Sequence, residues 1–325
     1  MQQINDVVTM TVEDGIAVLT LDSPPVNALS AAVREGLKGG ITAANAEDEA
    51  QAIVLICGGR TFIAGADITE FGDGAPEKSG PDHFEMIEDS AKPVIAAIHG
   101  TALGGGLETA LCAHYRVAAQ SAKVGLPEVN LGLLPGAGGT QRLPRLTGAE
   151  VALEWMITGR HVPVAEAAEY GVVDEVVPDD SLRESAIAFA RRVVDSGGEL
   201  RRVRDRDDKI AADRGRSELF TEFRQKNAKK FRGFKAPEAI VQCVEAAVNL
   251  PFDEGKAVEW KLFGELVSSP ESAAQRYYFF AERAAAKVPD VPRDTPRIPV
   301  ESVGIIGAGT MGGGIAMNFA NAGIP

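Results

Sequence analysis

Two unbroken apolar runs, AIVLIC at 52–57 and PVIAAI at 93–98, constrain the fold most. A strand with one wet face alternates apolar and polar residues. A run that is apolar at every position is buried on both faces, as in a parallel sheet covered by helices. Around these runs, VVTMTVEDGIAVLTLD (7–22) alternates on either side of Asp14–Gly15 and predicts a hairpin. SPPVNALS (23–30) is a rigid loop whose Ser30 can cap a helix to about Ala44. YRVAA (115–119) and VVDEVV (172–177) predict further strands, with helical spacing at about 82–90, 105–113, 140–147, 149–157 and 164–169. Residues 1–190 therefore read as one α/β domain.

After Ser181 the pattern becomes amphipathic helix as far as about Lys287 (the region 191–287), including a charged stretch, RRVRDRDDKIAADRGRSE (201–218), expected as a solvated helix face. The proline-rich VPDVPRDTPRIP cannot continue a helix and predicts a linker over 288–300. ESVGIIGAGTMGGGIAMNFANAGIP (301–325) predicts an apolar strand, then Gly307-x-Gly309-x-x-Gly312, then a helix through Phe319. In that context the glycines are a dinucleotide-binding fingerprint, the first β-α unit of a Rossmann domain. One such unit does not make a cofactor site, so the expectation is a piece of a longer dehydrogenase fusion, binding no NAD in these 325 residues.

Composition enters where it excludes. A net charge of −13 argues against a nucleic-acid surface, which needs clustered Lys and Arg. An anionic small molecule remains open, since a helix N-terminus or a local basic patch suffices for it. Cys57, Cys112 and Cys243 lack zinc spacing and read as buried thiols of a reducing compartment. No apolar run approaches the ~20 residues that span a bilayer, and the N-terminus lacks the order of a signal peptide. The expectations are no membrane insertion, a cytoplasmic location and no metal; His83, His114 and His161 have no metal spacing, and His99 reads as structural.

Three stretches carry chemistry. In HGTALGGGLETAL (99–111), Gly104, Gly105 and Gly106 precede a helix that holds one acid, Glu108. Stripping Cβ atoms from a helix N-terminus exposes N–H groups to a ligand and suits a developing oxyanion. The same glycines also suit close helix–strand packing with Glu108 merely solvated or paired. In VGLPEVNLGLLPGAGGTQRLPRL (124–146), Glu128 follows Pro127 among apolar residues and precedes Gly136, Gly138 and Gly139. It fits general acid–base work on a carbonyl compound, or simply a charge on a helix dipole. In GGRTFIAGADITEF (58–71), small residues at a strand end free backbone amides, those of Ala64 and Ala66 among them; Asp67 reads as a helix cap.

FIAGADI, HGTALGGGLETAL and LPEVNLGLLPGAGGTQRLPRL, in that order, resemble the crotonase (enoyl-CoA hydratase/isomerase) superfamily. PFDEGKAVEWKLFGELVSSPESAAQRYYFFAER (251–283) and the glycine fingerprint narrow the resemblance to multifunctional fatty-acid β-oxidation enzymes, in which a hydratase is fused to a 3-hydroxyacyl-CoA dehydrogenase. The resemblance implies a crotonase-like spiral of β-β-α units, followed by a helical region and the start of a Rossmann domain. It implies an oxyanion hole at the N–H groups of Ala66 and Gly105, catalytic acids at Glu108 and Glu128, and a water contact at the backbone of Gly136. Arg60 stands where relatives carry a basic residue near the CoA phosphates, with an ordinary exposed turn arginine as the alternative; Ala64 is a second CoA contact. The segment 71–84 stands where the family varies its acyl-chain lid. The implied reaction is hydration of a 2-trans-enoyl-CoA thioester to the (3S)-3-hydroxyacyl-CoA, with no cofactor beyond the CoA of the substrate. NAD would serve only the longer chain. The alternatives are a 3,2-enoyl-CoA isomerase and an assembly subunit that docks a thiolase or its own dehydrogenase half.

Overall fold

The computed structural model describes residues 1–67, 82–285, 287–292 and 294–325, and it divides into two compact units, Met1–Phe279 and Phe280–Pro325. In the first unit β1 (Gln2–Gln3), β2 (Val8–Glu13) and β3 (Ile16–Leu21) form an antiparallel ribbon. Its turn is at Asp14 and Gly15, both with positive φ, as the hairpin pattern predicts. The chain then crosses through helix α1 (Ala31–Ala46), whose first turn Ser30 caps by accepting from the Val33 N–H. The apolar run returns as β4 (Ala52–Cys57), parallel to β3.

Helix α2 (His83–Glu88) leads to β5 (Val94–Ile98), parallel to β4, and every residue of β5 is buried. A short strand β6 (Thr101–Leu103) runs into α3 (Gly105–Cys112), and β7 (Tyr115–Ala119) joins β5 in parallel. Next come β8 (Lys123–Gly125), a 3₁₀ turn at Glu128–Leu131, and helices α4 (Gly139–Thr147) and α5 (Ala149–Thr158). The strand β9 (Val162–Pro163), α6 (Val164–Glu169), β10 (Glu175–Val177) and α7 (Leu182–Asp195) follow. The large sheet has the order β1-β2-β3-β4-β5-β7-β10, and β6-β8-β9 form a small second sheet. The predicted strand at 172–177 begins only at Glu175, because Val172 and Val173 turn inward ahead of the ladder.

Helices α8 (Ser217–Phe231), α9 (Ala236–Asn249), α10 (Phe252–Val267) and α11 (Pro270–Ala285) follow. Helix α9 buries Ile240, Val241, Cys243 and Val244 and packs on α4 and α5. The compact unit thus runs on to Phe279, past the expected division at residue 190. The charged stretch 201–218 is solvated as expected, but it is not a helix before Ser217. It forms two 3₁₀ turns, Val203–Asp205 and Ala211–Asp213, that plug Val203 and Ile210 into the core. Its aspartates pair locally, Asp207 with Arg214 and Asp208 with Arg206, and such short acids compete with helical hydrogen bonding.

The second unit holds α12 (Thr310–Asn321), and Gly309 starts it as the glycine fingerprint predicts. The strand expected ahead of it does not form among the described residues. A strand needs a neighbour for its N–H and C=O groups. Here the Val303 N–H meets the Pro325 carbonyl at 2.9 Å, and Ile306 is fully exposed.

Candidate functional site

The glycine triplet of α3 is required by its neighbours. A Cβ on Gly106 would stand 2.1 Å from the Ile63 carbonyl oxygen, and one on Gly105 would stand 2.8 Å from Leu29 Cδ1. Gly104, at φ +53°, carries the chain from β6 into the helix, and a Cβ there would meet Glu128 Oε1 at 2.9 Å. The turn 63–66 is held at both ends by isolated bridges, Ile63 to Ala102 of β6 and Ala66 to Leu29 of the 23–30 loop.

The same packing brings two amides together. A Cβ on Gly105 would lie 3.6 Å from the Ala66 nitrogen, so both N–H groups border one small space. Among the described residues neither has an acceptor. The Ala64 N–H, expected free, donates to the Val26 carbonyl at 3.2 Å, so of those two amides Ala66 supplies the unpaired one. Ala64 is held this way because its turn passes close beneath the 23–30 loop.

Glu108 is buried on the first turn of α3, and its Oε1 accepts from the N–H groups of Ala137 and Gly139, both at 2.8 Å. Burial raises its pKa, opposed by these two bonds and by the charges of Arg142 and Lys256. Glu128 follows Pro127 at the start of its 3₁₀ turn. Its stem is half-buried, yet Oε2 is sealed from solvent and finds no hydrogen-bond partner among the described residues. Burial pushes its pKa well above the usual carboxylate range, and the neighbouring charges of Glu108 and then Glu259 add to the rise. The expected pair is therefore assembled around one space, with both acids shifted toward holding a proton.

Gly136, one residue before the Ala137 amide that Glu108 accepts from, carries no side chain because the Phe263 ring stands 2.5 Å from where a Cβ would be. Its N–H has no acceptor among the described residues. Arg60 is exposed just beyond β4. His99 Nε2 lies 3.2 Å from the Gly59 carbonyl, a structural contact. His114 Nδ1 accepts from the Val94 N–H, and burial lowers that imidazole to about 4. Of the segment 71–84, residues 71–81 lie outside the described residues, as do 68–70. No group of three or more His, Cys, Asp or Glu stands where it could hold a metal, and no helix is long and apolar enough to cross a membrane, among the described residues.

Sequence reasoning missed three side chains. Arg142 and Glu88, each 1% exposed, form a buried ion pair that ties α4 to α2, with Nε to Oε1 at 2.9 Å. Glu259 of α10 is fully buried and accepts from the Gly138 N–H at 2.8 Å and the Thr140 hydroxyl at 2.5 Å. Its signal was present: Gly255, Glu259, Phe263, Leu266 and Val267 make the buried stripe of the helix, and an acid at a core position demands a partner.

In the second unit the turn Gly307–Gly312 is close-packed on itself, with a Cβ on Gly312 falling 2.0 Å from the Gly307 oxygen. Among its described residues no strand stands beside the turn, and Ile306 is bare.

Residues 11–239 match the enoyl-CoA hydratase/isomerase family. The chain is 43% identical over 320 residues to the human peroxisomal bifunctional enzyme, covering 96% of this chain and 43% of that protein. It thus spans less than half the length of such relatives. Among solved structures, the carnitinyl-CoA hydratase of Mycobacterium avium superposes with a TM-score of 0.63 at 26% identity, covering 86% of this chain and 97% of that one. The enoyl-CoA hydratase of Bacillus anthracis does so with a TM-score of 0.54 at 29% identity, covering 85% and 97%. By the family match over residues 11–239 and the identity to such relatives, the chain with these paired amides and paired acids belongs to the enoyl-CoA hydratase/isomerase family.

Proposed function

We propose that this chain adds water to 2-trans-enoyl-CoA thioesters, giving (3S)-3-hydroxyacyl-CoA, a step of fatty-acid β-oxidation. The reading rests on one observation: two unpaired amides, of Ala66 and Gly105, share a space bordered by two acids of raised proton affinity. The amides take the thioester oxygen. The Gly136 N–H and the two carboxyl groups hold the water. Its oxygen bonds to C3, the C2=C3 electron pair moves toward the thioester and the amides offset the enolate charge. A proton passes from the water by way of Glu128 to C2, which restores the carbonyl. Every atom of the water ends in the product, so hydration itself uses no cofactor.

Glu128→Gln is expected to lower crotonyl-CoA hydration by about 10²–10⁴-fold, the usual worth of a positioned acid–base group. Glu108→Gln is expected to lose hydration to a similar degree. Hydration undiminished in either variant overturns the two-acid assignment.

A second reading has its own support. Glu108 Oε1 is already held by two amides, whereas Glu128 Oε2 has no partner among the described residues, so a one-acid proton shuttle between C2 and C4 suits this geometry too. In that 3,2-enoyl-CoA isomerisation, Glu108→Gln keeps most of the rate. The match to relatives more than twice as long supports a longer enzyme that oxidises the 3-hydroxy product with NAD. The described residues offer no observation that favours a thiolase-docking role.

A further inference from the structure

Three consecutive amides of the 136–140 turn are shared between two helices. Glu108 of α3 takes the N–H groups of Ala137 and Gly139, and Glu259 of α10 takes that of Gly138. An acid from one side thus holds the outer two, and an acid from the other side holds the middle one. Glu259 also takes the Thr140 hydroxyl, which in turn accepts from the Gln141 side-chain amide at 2.9 Å. One helical turn further along α10, Phe263 closes on Gly136. Two side chains of one helix face therefore set the turn that carries both the Gly136 N–H and the anchor of Glu108.

We propose that Glu259 is a positioning residue for hydration, clamping the 136–140 turn so that the Gly136 N–H and the Glu108 carboxyl keep their places. The proposal rests on the hydratase reading above. Without the clamp, the Gly138 N–H loses its acceptor inside the protein, and a buried donor left unpaired turns toward whatever acceptor it can find. The Glu108 carboxyl, held by the amides on either side of Gly138, is an acceptor of the same turn.

The charge of Glu259 supplies a readout that packing alone does not. It faces Lys256 on its own helix, Glu108 on α3, Arg142 and Thr140 on α4, Cys243 on α9 and, across the site, Glu128. Burial first and then Glu108 push its own pKa up to about 7. Its negative charge raises the proton affinity of Glu128. Replacing that charge with a neutral amide is therefore expected to lower the pKa of Glu128, by less than removing the charge of Glu108 would.

The test compares Glu259→Ala and Glu259→Gln in the 325-residue chain. For Glu259→Ala, kcat on crotonyl-CoA is expected to fall by about 10–100-fold with KM within about twofold, the pattern of a misplaced catalytic group. Glu259→Gln keeps an acceptor for the Gly138 N–H, so it is expected to recover most of kcat. It is also expected to move the pH limb that reports Glu128 to lower pH. Wild-type kcat in a folded Glu259→Ala protein, or no recovery in Glu259→Gln, overturns the proposal. A carbon-13 carboxyl titration and the hydrogen exchange of the Gly138 amide need no turnover. In Glu259→Gln the Glu128 titration is expected to shift to lower pH, and a titration that stays put overturns the proposal even where the alanine protein does not fold. A wild-type chain inactive on crotonyl-CoA sinks the hydratase reading instead, while the titration still tests whether Glu259 acts on its neighbours.

Discussion

The chain has two glycine-rich helix starts, Gly104–Gly106 and Gly307–Gly314, that look alike as text and differ as structure. At the first, an added Cβ would strike the Ile63 carbonyl, Leu29 or the carboxyl of Glu128. At the second, Gly309, Gly313 and Gly314 have nothing within 4 Å, and the one close approach, of Gly312 to Gly307, is internal to the turn. A glycine pattern records how close another part of the chain must come, and only the first pattern has that other part among the described residues. Its reward is chemical. Close approach leaves the amides of Ala66 and Gly105 facing one space as a preorganised pair of donors.

The largest effect that would break this contrast is expected at Gly106. An alanine there meets a backbone carbonyl at 2.1 Å, so α3 or the 63–66 turn must move. Overpacking of this kind costs about 1–3 kcal/mol. Under the proposed mechanism, displacing the Ala66 and Gly105 amides is expected to lower hydration on the order of 10²-fold. Thermal melting and crotonyl-CoA kinetics check both, and a Gly106→Ala protein with unaltered kcat would show the close approach to be incidental.

A second expectation sharpens what the packed start costs. Glu128 is held with a raised pKa, so the folded chain keeps this proton more tightly than the unfolded chain. The sign follows: this group leaves stability intact below the ordinary glutamate value of about 4.3 and erodes it as pH rises from there through the raised folded value. Glu128→Gln removes the charge and is expected to melt at a higher temperature than wild type near neutral pH, with the gain vanishing toward pH ~4. Equal melting temperatures across that range would mean that the carboxyl is not strained by its surroundings.

The smallest effect is expected at Gly313. It lies inside α12 with open space around it, so Gly313→Ala is expected to strengthen that helix by about 1 kcal/mol and leave the melting of the first unit unchanged. Slower hydrogen exchange confined to α12 would agree. A loss of stability on this change would mean that the second glycine cluster is packed after all.

Much of the fold was legible because periodicity and burial go together. The two uniformly apolar runs became β4 and β5 in the middle of the large sheet, and the Asp14–Gly15 turn and the Ser30 cap stand where local chemistry puts them. The catalytic candidates were legible in part, since Glu108 and Glu128 are acids set in apolar sequence beside glycines. Failures came wherever a segment's state depended on a distant partner. Residues 301–308 have strand composition and no ladder, and residues 201–216 alternate charges that find each other locally instead of forming a helix. Ala64 looked as free as Ala66 until Val26 closed over its amide.

Local order and residue chemistry are properties of neighbouring residues, and here they were written into the chain: which stretches are strand or helix, where turns fall, and which acids lack a polar setting. Proton affinity and donor availability depend instead on groups brought in from far along the chain. Glu259 reaches Gly138 across 121 residues, and the Ala66 amide comes beside Gly105 only once the 63–66 turn has bridged from Ile63 to Ala102 of β6. Folding set those distances, because burial, repulsion between charges and the pairing of amides act through space and carry no mark in the order of the residues.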